Sequence, residues 1–302
     1  MTLLKRDHHT VSKFYLAGFA DGSKQIRRTF LANPEAAEII SISQASVVRD
    51  FNLLPIADGE FTDGAENIFG EVESVGAKAI RALVADREWP IRHMTRGRIA
   101  AWVALQHLRS KGMRSILGLA IDASIKEKIK KDGREGVREV LDHGKKVKAT
   151  EAEVDAAWAT SSDTESFRIQ ASSVEHVAYI RDQLTVLTEE LYKRPWMVMR
   201  FEDIALLTCD HPVAWGPATS ESDYAAGVFI PMSRRVGLLM GEKEPKFATD
   251  ELVVSADHLV PGIQAQALFF NSWVIANAWD EVYTHPDDAN LTQGPLPLPR
   301  RM

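Results

Sequence analysis

The sequence predicts an α+β fold in which a central, mostly helical layer packs on a sheet formed by N-terminal and C-terminal strands. Three observations predict it. Short β-compatible runs bounded by turn residues lie before residue 60 and again after residue 196. Between about 63 and 194 the apolar residues recur with helical spacing instead. With 302 residues and 45% hydrophobic content, the chain is long enough to bury one substantial core, so a single α+β domain over 1–302 is expected.

Taken in order, "DHHTVSKFYLAGF" (Asp7–Phe19) places two adjacent histidines at the head of a short amphipathic, aromatic-rich segment. "ADGSKQIRRTFLANP" sets an Asp-Gly turn before a β-compatible run that closes at Asn33-Pro34. "DGAENIFGEVESVGAKAIRALVAD" aligns Ile68, Phe69, Val72, Val75, Ala79, Ile80 and Leu83, which predicts a helix of about six turns. "TRGRIAAWVALQHLRSKGMRSILGLAI" predicts a second helix, continuous from near Thr95. Residues 121–150 are dense in Lys, Glu and Asp and predict a solvated helix that projects from the body or caps it, a surface suited to a protein partner. A further helix runs from about Val174 to Lys193 and stops before Pro195. "WMVMRF", "IALLTC", "GVFIPM" and "VGLLM" then read as strands, and a last helix as Ala265–Asp280. The tail 292–302, with "GPLPLPRRM", reads as irregular and flexible.

The totals exclude several function classes. A net charge of −6 gives no global attraction to phosphate backbones. The single cysteine, Cys209, rules out an intramolecular disulfide and a thiolate zinc cluster, so any metal must be held by histidines and carboxylates. "MTLLKRDHH" lacks the apolar core of a signal peptide, and stretches such as "GIQAQALFFNSWVIANAW" are broken by Gln and Asn, so a soluble cytoplasmic protein with no membrane partner is expected. The chain has no G-x-S-x-G, Walker loop, H-E-x-x-H or G-x-G-x-x-G motif.

Polar residues on otherwise apolar stripes carry the remaining signal, because a buried polar group costs free energy unless it is paired. Glu73 shares the stripe of Phe69, Gly76 and Ile80, whereas Glu71 lies on the wet side. Gln106 and Arg109 interrupt the stripe Ile99, Trp102, Met113, and an inward Arg needs a carboxylate or an anionic ligand. Asp210 ends the run "LLTC", a place where a strand fixes a carboxylate and a loop exposes it, and equally a place for a turn former. His8 and His9 diverge in any regular element, so one reaches a given site and the other does something else. His107 falls with Val103 and Arg114 on a different helical face. Asp142-His143 and Asp257-His258 are adjacent pairs, and adjacency alone builds no catalytic orientation.

"HHTVSKFYLAGFA", the Glu73 helix, "IAAWVALQHLRSKGMR", "LLTCDHPV", "FIPMSRRVGLLM" and "FNSWVIANAWDEVYTHP" resemble, in that order, the bacterial family catalogued as domain of unknown function 4238. The resemblance spans nearly the whole chain. It implies a shared site at His8, His9, Tyr15, Leu16, Gln106, Arg109, Asp210, Pro212, Pro231 and Asn271. The chain departs from the family pattern at Ser12-Lys13, where Pro-Gln is usual, at Ser110 for Thr, and at Cys209 for Ser. The family name implies no activity.

Two functions are expected from these residues. One is a metal-dependent hydrolase of the phosphodiesterase or nuclease class, in which His8, His9, Glu73 and Asp210 are catalytic groups and ligands to a divalent Mn, Mg or Zn. Gln106, Arg109 and Asn271 would then orient an anionic small molecule or a nucleic acid. The other is a non-catalytic small-molecule-binding or regulatory protein with the same residues in a buried polar network. Either way, one of His8 and His9 is expected beside Glu73, Arg109 and Asp210.

Overall fold

Trp102 and Trp196, exposed by 0% and 1%, mark the centre of the largest core. The computed structural model describes residues 4–56, 59–85, 89–143, 147–216, 227–242 and 256–300. The chain opens with β1 (Asp7–His9), α1 (Lys13–Leu16), β2 (Gln25–Phe30), β3 (Asn33–Ser41), β4 (Val47–Arg49), β5 (Leu54–Pro55) and β6 (Phe61–Thr62). The helical part holds α2 (Gly64–Val84), α3 (His93–Leu108), α4 (Lys111–Asp142), α5 (Glu151–Ser161) and α6 (Ser173–Tyr192). It is followed by β7 (Trp196–Arg200), β8 (Thr208–Cys209), β9 (Ala214–Trp215), β10 (Val228–Ser233), β11 (Val236–Met240), β12 (His258–Pro261), α7 (Gln264–Asn277), β13 (Glu281–Thr284) and a 3-10 helix, Pro286–Thr292. The fold is α+β.

Two multi-stranded sheets carry most of the strands, beside the two-stranded pairs β1–β4 and β5–β6. The larger has the order β12-β7-β11-β10-β9, antiparallel throughout except for the parallel β12–β7 pair. The smaller, β3-β2-β13-β8, joins N-terminal to C-terminal strands in antiparallel pairs. β10 is buried at every position, so its alternation separates two cores rather than core from water. Val228, Ile230 and Met232 join the main core with α2 and α3, and Phe229 turns the other way onto Phe270 of α7.

The helical layer follows from the stripe spacing. α2 buries Phe69, Gly76, Ala77, Ile80 and Leu83 on one face. α3 packs against both α2 and α6 and is buried on most of its circumference, which is why it tolerates almost no polar residue that lacks a partner.

Several expectations need correction. The second predicted helix is two: it ends at Leu108, and Ser110 caps α4 by accepting from Met113 N at 3.1 Å. Met113 therefore does not continue the stripe of Ile99, Trp102 and Gln106. Asn33 and Pro34 open β3 instead of closing β2. β9, β12 and β13 were not expected, and "IALLTC" contributes only Thr208 and Cys209 to a strand.

Within 121–150 the chain reverses. Gly133 has φ +59, a backbone region suited to glycine, and Lys128 forms an ion pair with Glu139. In a straight helix eleven residues would separate them by about 16 Å, so the chain folds back here. Arg134 and Arg138 then pair with Glu151 of α5 at 2.5 Å each, and residues 144–146 of the predicted segment lie outside the described residues. In the tail, residues 293–300 form no helix or strand, and Arg300 N donates to Trp279 O at 3.1 Å; residues 301–302 lie outside the described residues. Among the described residues no helix is long and apolar enough to cross a membrane.

Candidate functional site

The interruption of the apolar stripe is where the polar network lies, and its hub is Ser12. A hydroxyl has one proton and two lone pairs. The Ser12 Oγ proton goes to Glu73 Oε1 at 2.8 Å, while Trp102 Nε1 and Arg109 Nη2 donate to the oxygen at 3.0 and 2.7 Å. Gln106 completes the cluster: its Oε1 accepts from Ser12 N at 3.2 Å and Arg109 Nη2 at 3.0 Å, and its Nε2 donates to Thr10 O at 2.8 Å. These partners fix which end of the amide is which.

Arg109 Nη1 meets Glu73 Oε1 at 2.6 Å. The carboxylate that the inward Arg needs is Glu73, supplied from α2 while Arg109 sits at the C-terminal boundary of α3. Arg109 Nε is buried with no hydrogen-bond partner among the described residues. Ser12 is 0% exposed with its donor and both acceptor positions occupied, so it positions its neighbours and offers no free nucleophile.

A cavity of about 420 Å³ opens over this network, with His9, Lys13, Glu66, Glu73 and Arg109 in its wall. Two ion pairs cancel there: Arg109 with Glu73, and Lys5 with Glu66 at 3.0 Å. Lys13 has no ion pair among the described residues and leaves the cavity with one uncompensated positive charge. His9 Nδ1 lies 3.2 Å from Ala45 O, which can only accept, so Nε2 carries the lone pair. Burial, and then the charge of Lys13, lower the His9 imidazole to about 4, so it is neutral near pH 7.

The structure brings together His9, Glu73, Gln106 and Arg109 of the expected residues and separates the others. His8 is fully buried and faces away: Asn52 N donates to its Nδ1 at 2.8 Å, and its Nε2 donates to Lys5 O at 2.8 Å. His8 thus anchors the N-terminal strand.

Asp210 does not join His9 and Glu73. Its two oxygens accept from Trp279 N at 2.8 Å and Asp280 N at 2.9 Å, holding the turn between α7 and β13. Burial raises its carboxyl to about 6 against the opposing pull of Lys111 and these two amides. Asn271 is likewise structural: its Oδ1 accepts from Leu207 N and its Nδ2 donates to Ala205 O, both at 3.0 Å. The expected ligand set of His8, His9, Glu73 and Asp210 is therefore not assembled, and among the described residues no three His, Cys, Asp or Glu side chains are grouped to hold a metal ion.

Sequence reasoning missed Ser12, Trp102 as a donor, and Lys13. A serine before a short helix reads as a cap, and nothing in its neighbours announces that it points inward instead. It also missed His211, which is 5% exposed, lies with its ring centroid 5.4 Å from that of His107, and has no partner for either ring nitrogen among the described residues.

No curated protein and no solved structure matches this chain. A family described as protein of unknown function (DUF4238) matches residues 7–288, which include the whole polar network and both sheets. The chain belongs to that family.

Proposed function

We propose that this protein is a recognition module for a polar, acidic small molecule that binds in the cavity over the Glu73–Arg109 pair. The observation that carries the reading is the Lys13 charge, unpaired among the described residues, in the wall of a cavity that also presents His9 and Glu73. An acidic group on the ligand complements Lys13, and a neighbouring hydroxyl or amino group donates to Glu73 or to the His9 Nε2 lone pair. The hub at Ser12 supports this by fixing Glu73 before a ligand arrives, which lowers the ordering cost of binding.

Hydrolysis is the second reading, favoured by one observation: Glu73 and His9, both able to take up a proton, line one cavity. A divalent cation would have to draw on His9, Glu66 and Glu73, but Glu66 is engaged by Lys5 and by Asn52 Nδ2 at 2.9 Å, and Glu73 by Arg109. Those contacts favour acid–base chemistry over the metal-assisted version.

The test is thermal denaturation of the full chain against sugar phosphates, amino acids and nucleotides, each with and without Mn, beside Lys13→Ala and Glu73→Gln. One compound class should raise the melting temperature by several degrees in the wild type and fail to do so in both variants. No shift with any compound, or the same shift in both variants, removes the reading. Product release from a shifting compound, lost in Glu73→Gln, would move the conclusion to the hydrolase.

A further inference from the structure

Arg109 obeys the rule that an inward arginine needs a carboxylate, but Arg114, one turn into α4, does not. Its Cζ lies 3.6 Å from the centroid of the Phe51 ring. Its Nε donates to His176 Nδ1 at 3.0 Å, and its Nη2 donates to Phe51 O. His176 passes its own Nε2 proton to Leu108 O at 2.8 Å, so the imidazole facing Arg114 is a neutral acceptor. No carboxylate partners this guanidinium, and Nη1 has no protein acceptor among the described residues. Burial alone lowers the guanidinium to about 10, with no anion offsetting it.

Arg114 lines a cavity of about 180 Å³, lined on its other side by the segment 168–171. That is well above the roughly 10–15 Å³ that one water needs, so a group the size of phosphate fits. Arg168 lies in the same wall and has no ion pair among the described residues. Asp122, whose carboxyl is lowered in part by Arg168, is engaged by Lys126 at 3.0 Å and by Ile169 N at 2.9 Å. The backbone amides of Gln170 and Ala171 donate to no acceptor among the described residues. Gly118 permits this approach: a Cβ there would sit 3.0 Å from Ala171 N.

We propose that this cavity is a binding site for a phosphate dianion, held by the guanidinium groups of Arg114 and Arg168 with the hydroxyl of Ser115 beside them. Two guanidinium groups without an ion pair among the described residues match two negative charges, and planar N–H forks match phosphate oxygens in a way that a lone ammonium does not. The site is separate from the Glu73 cavity and does not depend on its occupant.

The test is calorimetric titration of inorganic phosphate into the full chain, prepared in phosphate-free buffer at low salt. Wild type should bind, sulfate should compete, and Lys13→Ala should bind as wild type does. Arg168→Gln, an exposed change that spares the fold, should weaken binding by about tenfold or more. Gly118→Ala, which narrows the cavity without altering charge, should weaken it as well. Arg114→Gln should abolish binding, and if that variant does not fold, the other two still decide. Absence of heat with wild type, or an affinity unchanged by both Arg168→Gln and Gly118→Ala, overturns the proposal.

Discussion

Arg109 and Glu73 form an ion pair at 2.6 Å in which the cation is 3% exposed and the carboxylate 28%. The pair is therefore asymmetric. Glu73 can be solvated if its partner is lost, whereas Arg109 cannot.

That asymmetry sets the order of two substitutions. Glu73→Gln leaves a buried guanidinium without its counter-charge and should cost about 3 kcal/mol in urea denaturation. Arg109→Met removes the charge that needs compensation, so the double variant should be less destabilised than the sum of the single changes. Additive losses would mean that the two groups are not coupled.

The network was legible because it breaks a pattern. Glu73, Gln106 and Arg109 sit on stripes that packing demands be apolar, and a polar residue there must have found partners. Asp210 breaks a pattern too, but a carboxylate that caps a turn and one that meets a ligand give the same sequence, and the two amides it accepts from are 69 and 70 residues away. Arg114 shares a face with His107 only if one helix runs on through Arg109 and Ser110, where the chain in fact breaks into α3 and α4. The available signal was Ser110 itself, a cap residue at the start of "SKGM". β13 and β12 have four residues each, too few for alternation to separate them from loop, and tertiary pairing decides them.

The buried histidines should make stability fall on acidification. Burial lowers His107 to about 3, and His176 and His211 to about 4, from 6.5, so between about 4 and 6.5 the unfolded chain binds more protons than the folded one. Asp210 opposes this, because burial raises it from 3.8 to about 6 and the folded state then holds the extra proton. With His9, which burial and Lys13 lower to about 4, four imidazoles outweigh one carboxyl, giving a net uptake on the order of three protons on unfolding near pH 5. Urea midpoints measured from pH 7 downward report the slope. His211→Phe should reduce it by about one proton without loss of stability at neutral pH, since both ring nitrogens lack partners among the described residues. A flat profile would contradict these shifts.

Asn271 should behave as a clamp and not as a ligand contact. It is 6% exposed and satisfies Leu207 N and Ala205 O, the stretch that leads into β8. Asn271→Ala strands two buried backbone groups and should cost about 3 kcal/mol. Any ligand found for the Glu73 cavity should still bind the folded variant. Lost binding at unchanged stability would return Asn271 to a substrate-binding role.

Two glycines in the helical layer should respond to alanine with opposite signs. At Gly76 on α2 a Cβ would fall 2.7 Å from Trp102 Cβ, a distance that forces either the helix or the indole to move. Trp102 is 0% exposed and donates to Ser12 Oγ, so a displaced indole also loosens the hub that holds Glu73, one turn earlier on the same helix. Gly76→Ala should cost about 1–3 kcal/mol and change tryptophan fluorescence. Gly97 on α3 has nothing within 4 Å of its Cβ position, so Gly97→Ala gains helix propensity without a clash and should stabilise by about 0.5–1 kcal/mol. The same substitution, in two helices packed on each other, then separates close approach from backbone freedom. Equal effects at the two positions would show that contact with Trp102 is not what requires glycine at 76.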